Sequence, residues 1–366
     1  MGDPKEITTL QATTTLISTI IGVGVLPLPL FAVRSGDTGA PFVTLLGIGF
    51  AAIGLFILAY LGIRHPDKTI IMYSEDIVGK WLGRFCSLFI ISFFLVLTGL
   101  AAREFGAVVV TAVLRETPLE VTVIVMLSLA CISCRNNINV FAYIHNFYFP
   151  IILAPALIVV ALSLKNANIL YLRPLVGNNF KEMMSGMLTI SALLQGSFII
   201  TMIIPAMKNP QKALKASFWG IFISGGLYLL IVIATVSVFG PEEIKHLFWP
   251  TLELARTTSV PGNILQRLDV IFLAVWVTAV FTTLFSSYFF TIHSIKELFR
   301  LKDHKALSYF IMPIVFVLAM LPQNILHMYE VIQMIGRAGL VITIMYPLLL
   351  LAIDLLKGWR QKKRVE

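Results

Sequence analysis

Long apolar runs alternate with short polar breaks along the whole chain. Runs of about 18 or more apolar residues recur from Ile7 almost to the C-terminus, the helix length that crosses a bilayer. Ten such segments fall at roughly 7–33, 41–63, 84–110, 119–134, 143–164, 185–207, 213–238, 264–290, 306–321 and 335–356. The short alternating segments of a membrane β-barrel are absent. The pattern predicts an all-α polytopic membrane protein, one transmembrane domain over 1–366, with its longest connections at about 64–83, 165–184 and 239–263.

The first run contains its own interruption, IIGVGVLPLP at 20–29. Gly22 and Gly24 permit tight backbone and close approach. Pro27 and Pro29 lack donors, which frees carbonyls about four residues back, near Val23 and Val25. The sixth run, which begins about 178 residues after the first, is interrupted by Gln195-Gly196-Ser197 and then Pro205. Ten spans divide into five and five, about 7–165 and 185–356, and an odd repeat length inverts the second copy. Paired broken helices in inverted halves point to a midplane binding site.

Composition narrows the class. The chain is 58% hydrophobic and 13% charged, with a mean hydropathy of +0.89, whereas a soluble domain is about a quarter charged. The net charge of +9 is not a nucleic-acid signal. Eighteen of the 28 lysines and arginines fall at the N-terminus, in alternate connections and in the tail, and eight fall in the remaining connections. This asymmetry predicts both termini in the cytoplasm. The basic tail within 357–366, KGWRQKKR with Trp359, reads as an anchor to anionic membrane lipids. No cleavable signal peptide is expected, since mixed charge in MGDPKEITTL leads straight into the first span.

Cys86, Cys131 and Cys134 lie in or beside apolar segments, and no second cysteine pair or histidine cluster supports a metal site. They read as small residues packed between helices. No phosphate loop, paired catalytic carboxylates or Ser/His/Asp set is present. The sequence predicts no enzyme, no cofactor and no metal.

Candidate chemistry gathers at the breaks. Exposed N–H groups of a half-helix attract a carboxylate, and exposed carbonyls attract an ammonium or a cation. Gly22, Val23, Gly24 and Val25 are therefore candidate contacts for a zwitterion such as an amino acid. Ser191, Gln195, Gly196 and Ser197 are their counterparts in the sixth span, and Thr98 adds a hydroxyl from the third. In the eighth span Thr283 and Ser287, or Thr282 and Ser286, share a face. With the Val23 carbonyl they could complete a cation site, or they could bond back to their own helix. Charges within spans are functional candidates by default. Arg103, Glu104, Glu330 and Arg337, however, lie toward the outer end, where pairing or interface contact is expected. His145 and His293 read as unremarkable residues near cytoplasmic helix ends.

Several loop motifs converge on one family. HPDKTIIMYSEDIVGKWLGRF (65–85), PAMKNPQKALKAS (205–217), FWPTLELAR (248–256) and PGNILQRLDVIFLAVW (261–276) resemble the endospore germination permeases, the B subunits of spore germinant receptors. The first-helix turn resembles that family too, and is shared across the amino acid–polyamine–organocation superfamily. The resemblance covers essentially the whole chain. It implies a LeuT-like fold of ten helices in two inverted five-helix halves. It also implies a larger A subunit and a lipoprotein C subunit as partners, the inner spore membrane as location, and a small nutrient as ligand. Carried onto this chain, the family's site falls at Gly22–Val25 and about Leu194–Phe198. Many relatives carry an acidic residue just after the sixth-helix glycine, where this chain has Ser197 and Phe198. The fifth span has no lysine to stand in for a sodium ion. A receptor subunit, a secondary amino acid transporter and a scaffold with a degenerate site are the readings in play.

Overall fold

The computed structural model describes residues 5–176, 179–258 and 268–362. Part of the 261–276 motif, Arg267 and the end of the basic tail lie outside these, and the side chain of Trp359 is not described.

The first expected span is two helices, α1 (Thr9–Ile20) and α2 (Leu28–Gly36), joined by a 3-10 turn at Val23–Val25. Thr8 opens α1 with a capping box: its hydroxyl accepts the Gln11 N–H and the Gln11 side chain accepts the Thr8 N–H. Then follow α3 (Ala40–Arg64), a short helix α4 (Ile70–Val78), α5 (Lys80–Ala112), α6 (Leu119–Ser133) and α7 (Ile138–Ser163). The sixth expected span is α8 (Phe180–Leu193), a 3-10 stretch at Gln195–Ile199, and the short α9 (Ile200–Ile203) with a last turn at Ile204–Ala206. Its two parts are bent by 44°. The chain continues through α10 (Ala213–Ile244), α11 (Pro250–Thr257), α12 (Leu268–Leu298), α13 (Lys305–Met320) and α14 (Ile325–Leu340). A π-helical turn at Val341–Met345 then leads into α15 (Tyr346–Lys362).

Among the described residues, six helices are long and apolar enough to cross a membrane, and the bent pair makes a seventh. The expected fourth and ninth spans are the shorter apolar helices Leu119–Ser133 and Lys305–Met320. At 1.5 Å per residue these fall short of a hydrocarbon core of roughly 30 Å. Length and apolarity alone therefore do not reach the expected ten. Two of the expected loops also contain helices, α4 and α11. Both carry apolar positions at helical spacing that bury against the bundle: Ile70, Ile71, Tyr73 and Ile77 in one, Leu252, Leu254 and Ala255 in the other.

Contacts sort the connections between two ends of the molecule. At one end Lys5 pairs with Asp67, Arg64 with Asp354 and Arg135 with Tyr309, while Lys357 donates to the Ile77 carbonyl at the end of α4. There the N-terminal segment also pairs with the exit of the sixth expected span, Ile7 N–H to Ala206 O at 3.1 Å and Lys208 N–H to Ile7 O at 2.9 Å. At the other end Lys245 pairs with Asp37, Thr38 donates to the Pro174 carbonyl and Arg103 to the Pro322 carbonyl. Between the ends, α1 packs against α7, α10 and α12, and α5 against α12 and α13.

Candidate functional site

Helix α1 stops at Ile20 because the backbone turns extended at Ile21 (φ −78°, ψ 98°) and stays out of the helical region at Gly22 (φ −154°, ψ −131°). A side chain there would collide with α12, since a Cβ on Gly22 would lie 1.8 Å from Thr283 Oγ1. Carbonyls at the break have no water to turn to in a membrane, and side chains from other helices take them instead. Thr282 donates to Ser18 O at 2.8 Å and Thr283 to Thr19 O at 2.9 Å. Tyr228 of α10 donates to Ile20 O and Thr251 of α11 to Val25 O, both at 2.7 Å. The Val25 carbonyl is thus free of its own helix, as Pro29 requires. The Val23 carbonyl instead accepts Leu26 N–H at 3.5 Å in the 3-10 turn.

The second break lies directly against the first. A Cβ on Gly196 would meet the Thr19 carbonyl oxygen at 2.9 Å. Gln195 Nε2 donates to Gly336 O at 2.8 Å and ties this break to α14. Between the breaks is a cavity of about 80 Å³. Val23 and Gly24 wall it on one side, Gln195 and Gly196 on the second, and Thr283, Ser286 and Ser287 on the third. Seven of the sequence candidates therefore meet at one cavity.

The other candidates are placed elsewhere. Gly22 lies behind Thr283, and Val25 is buried beside Thr251. Thr98 donates to the Phe94 carbonyl of its own helix. Ser191, Leu194 and Ser197 face a second cavity of about 10 Å³, which Gln195 also lines. Phe198 packs on Phe94 and Phe290, two wall residues, at 5.2 and 5.5 Å between ring centres. Thr282 is spent on Ser18 O, whereas Ser287, though it lines the cavity, bonds back to Thr283 O and Leu284 O.

Two expectations are corrected. Glu104, expected in pairing or interface contact toward the outer end, walls the cavity: it is 2% exposed and is the one ionisable side chain among the described lining residues. Tyr329 donates to its Oε1 at 3.3 Å, and Trp249 Nε1 donates in turn to Tyr329 at 2.7 Å. The signal was available, since Leu97, Ala101 and Glu104 share a helical face at i, i+4 and i+7 and all line the cavity. Its neighbours do make interface contacts: Arg103 binds the Pro322 carbonyl, Arg337 binds Thr189, and Glu330 is exposed. His145 is the second correction. It is fully buried between α1 and α12 and bonded to Ser18 and Ser286. His293, by contrast, stacks on Phe289 at 3.9 Å. Among the described residues no group of His, Cys, Asp or Glu could hold a metal.

Two broken helices meeting at a buried cavity recur in the folds of many secondary transporters. A solved sialic acid symporter described as Na+-coupled, captured substrate-bound and outward-open, is similar over 93% of this chain and 78% of its own, with a TM-score of 0.62 and 13% identity. The family model for spore germination proteins matches residues 6–328, and the chain belongs to this spore germination permease family. It is 27% identical to the Bacillus subtilis (strain 168) spore germination protein YndE, over 98% of each chain. To spore germination protein B2 of the same organism it is 26% identical, over 98% of this chain and 96% of that one. The family consists of membrane germination proteins and not of enzymes.

Proposed function

We propose that this protein is the membrane subunit of a spore germinant receptor that binds a small nutrient, an amino acid, in the cavity between the broken helices. The observation that carries the reading is the cavity with the Glu104 carboxylate in its wall. A buried carboxylate among apolar side chains is costly unless a cation or a proton meets it. A ligand ammonium is such a cation, and Glu104 takes the role of the acidic residue missing after Gly196. At about 80 Å³ the cavity has room for a few water-sized groups, which limits the ligand to a small one. The backbone at Val23 and Gly24 lies where the ligand carboxylate would be received.

The fold we propose around this site is ten crossings in two inverted halves, 7–165 and 185–356. It is supported by the Ile7–Ala206 pairing, which sets the start of the first broken helix beside the end of the sixth, so the two run in opposite directions. The ion pairs at each end support an even number of crossings. We place both termini in the cytoplasm on the lysine and arginine asymmetry, and the protein in the inner spore membrane beside larger A and lipoprotein C subunits on family membership. Binding signals by favouring one of two arrangements of the bundle, in proportion to the difference in affinity.

The test is germination of spores that lack this subunit and are complemented with Gly24→Leu, whose new side chain fills the cavity beside Leu193. Loss of the nutrient response at normal protein level is expected. An unchanged dependence on nutrient concentration would sink the site. The similarity to a symporter favours one alternative, a secondary amino acid transporter. Uptake of labelled amino acid by the protein reconstituted alone would establish it. A degenerate scaffold loses its argument, because an acidic group is present after all.

A further inference from the structure

The polar cluster around His145 is more than a helix clamp. His145 Nδ1 lies 2.7 Å from Ser18 Oγ, and Nε2 lies 3.0 Å from Ser286 Oγ. Ser286 Oγ lies 2.7 Å from Thr19 Oγ1. Thr19 and Ser286 both line the cavity, and Ser18 does not. The row therefore leads from the cavity wall to a buried imidazole and stops.

Counting donors fixes its direction. The Ser18 hydroxyl donates to the Thr14 carbonyl at 2.8 Å, so its oxygen accepts from Nδ1–H. A neutral imidazole has one donor and one acceptor, which leaves Nε2 to accept from the Ser286 hydroxyl. Ser286 has then spent its hydrogen, so its oxygen accepts from Thr19. In this state Thr19 offers the cavity only oxygen lone pairs.

We infer that His145 is a proton-binding site served by the Thr19–Ser286 hydroxyl pair, and that its protonation reverses the polarity of the cavity wall at Thr19. A donor in the cavity, hydronium or a ligand ammonium, gives a proton to Thr19 Oγ1 and is left as water or as the neutral amine. The hydrogen of Thr19 passes to Ser286, and that of Ser286 passes to Nε2. Each O–H bond broken is matched by one formed, and the net change is one proton gained at Nε2. Afterwards Nε2–H donates to Ser286, Ser286 donates to Thr19, and Thr19 points its hydrogen into the cavity. The wall has changed from an acceptor to a donor. A ligand group that accepts at Thr19, such as a carboxylate, then favours the proton at His145, and the proton favours that ligand equally.

Glu104 of α5 shares the cavity wall with Thr19 and Ser286, α7 itself carries Tyr143 and Tyr148, and the turn after it carries Lys165. The ring contacts of His145 are Phe141 on its own helix and Phe285 on α12. Helix α1 carries no ionisable residue. On α12, Asp269, Lys296 and Glu297 are at the ends, His293 stacks on Phe289, and Tyr288 donates to Ser308 O. On α10, Lys215, Glu242 and Glu243 are terminal, and Tyr228 is spent on Ile20 O. On α11, Glu253 and Arg256 pair with each other.

The proton site stands on these hydrogen bonds, and only its consequence for a ligand rests on the proposed function. The experiment accordingly uses no ligand. Purified full-length protein with 15N-labelled histidine is titrated by NMR, and His145 is assigned by the signal lost in His145→Gln. Glutamine keeps a donor and an acceptor but takes no proton. The expected result is conversion of the His145 ring nitrogens from a single neutral tautomer to the doubly protonated form while the fold persists. Ser286→Ala removes the acceptor for Nε2–H, and Thr19→Val removes the next acceptor along. Each should move the transition to more acidic pH, by about one unit for a lost hydrogen bond to a charged group in Ser286→Ala. A ring that stays neutral until the protein unfolds overturns the site. An unmoved transition in Thr19→Val overturns the link to the cavity. Either result leaves the nutrient reading standing.

Discussion

At residue scale, one methyl group at Gly22 or Gly196 decides whether the two breaks fit their neighbours. Gly22→Ala would push Thr283 off the Thr19 carbonyl and leave a buried acceptor unpaired, a loss of about 1–3 kcal/mol. Gly196→Ala presses on the Thr19 backbone itself, which has less room to yield. Both variants should show lower thermal unfolding midpoints in detergent, with Gly196→Ala also losing the nutrient response. Glu104→Gln is the sharper test of chemistry. Glutamine still accepts from Tyr329, so the fold is kept while the charge is removed. The nutrient concentration for half-maximal germination should rise roughly 10- to 100-fold, the worth of one charge-assisted hydrogen bond. No change at equal receptor level would remove Glu104 from ligand binding.

At the scale of elements, α11 joins the site to the loops. Thr251 caps the Val25 carbonyl, and Trp249 holds Tyr329, which holds Glu104. Helix α11 is thus bonded to both the first break and the acidic wall. Thr251→Val keeps shape but removes the donor, and should cost about 1–3 kcal/mol of stability. It should also shift the nutrient response, since the break it supports walls the cavity. Asn137→Ala is the control. Asn137 caps α7 through the Val140 N–H, far along the helix from the breaks. Its loss should cost about 1 kcal/mol in unfolding and leave the nutrient concentration dependence untouched. A shifted dose response in that variant would mean that general destabilisation, not the site, sets the response.

At the scale of the whole molecule, orientation is the open quantity that a simple measurement reads. Asp67 and Glu242 have side chains 74% and 79% exposed and sit at opposite ends. With both termini inside, a membrane-impermeant maleimide applied to intact cells should label Glu242→Cys and spare Asp67→Cys. The reverse pattern would overturn the orientation. The basic residues at the Asp67 end make this outcome the expected one.

The sequence by itself determined the membrane class, the two breaks and the family, because each is a local signal. Apolar length, helix-breaking residues and ordered loop motifs need no partner to be recognised. Gly24, Gln195, Gly196 and Ser286 could be singled out for the same reason: clustered glycines beside prolines, an amide and a hydroxyl stand out in an apolar span. The tertiary structure decided which anomalies meet. Thr98 and Ser287 are hydroxyls of the same kind, yet one turns to its own helix away from the cavity, and the other bonds to its own helix while still lining it. Glu104 and His145 looked peripheral because position along a span says only how deep a residue lies. Whether it faces lipid, a neighbouring helix or a cavity depends on the rotation and packing of helices distant in sequence, here α1 against α7 and α12, and α5 against α12 and α14. Depth is a property of one helix, while a site is a property of several.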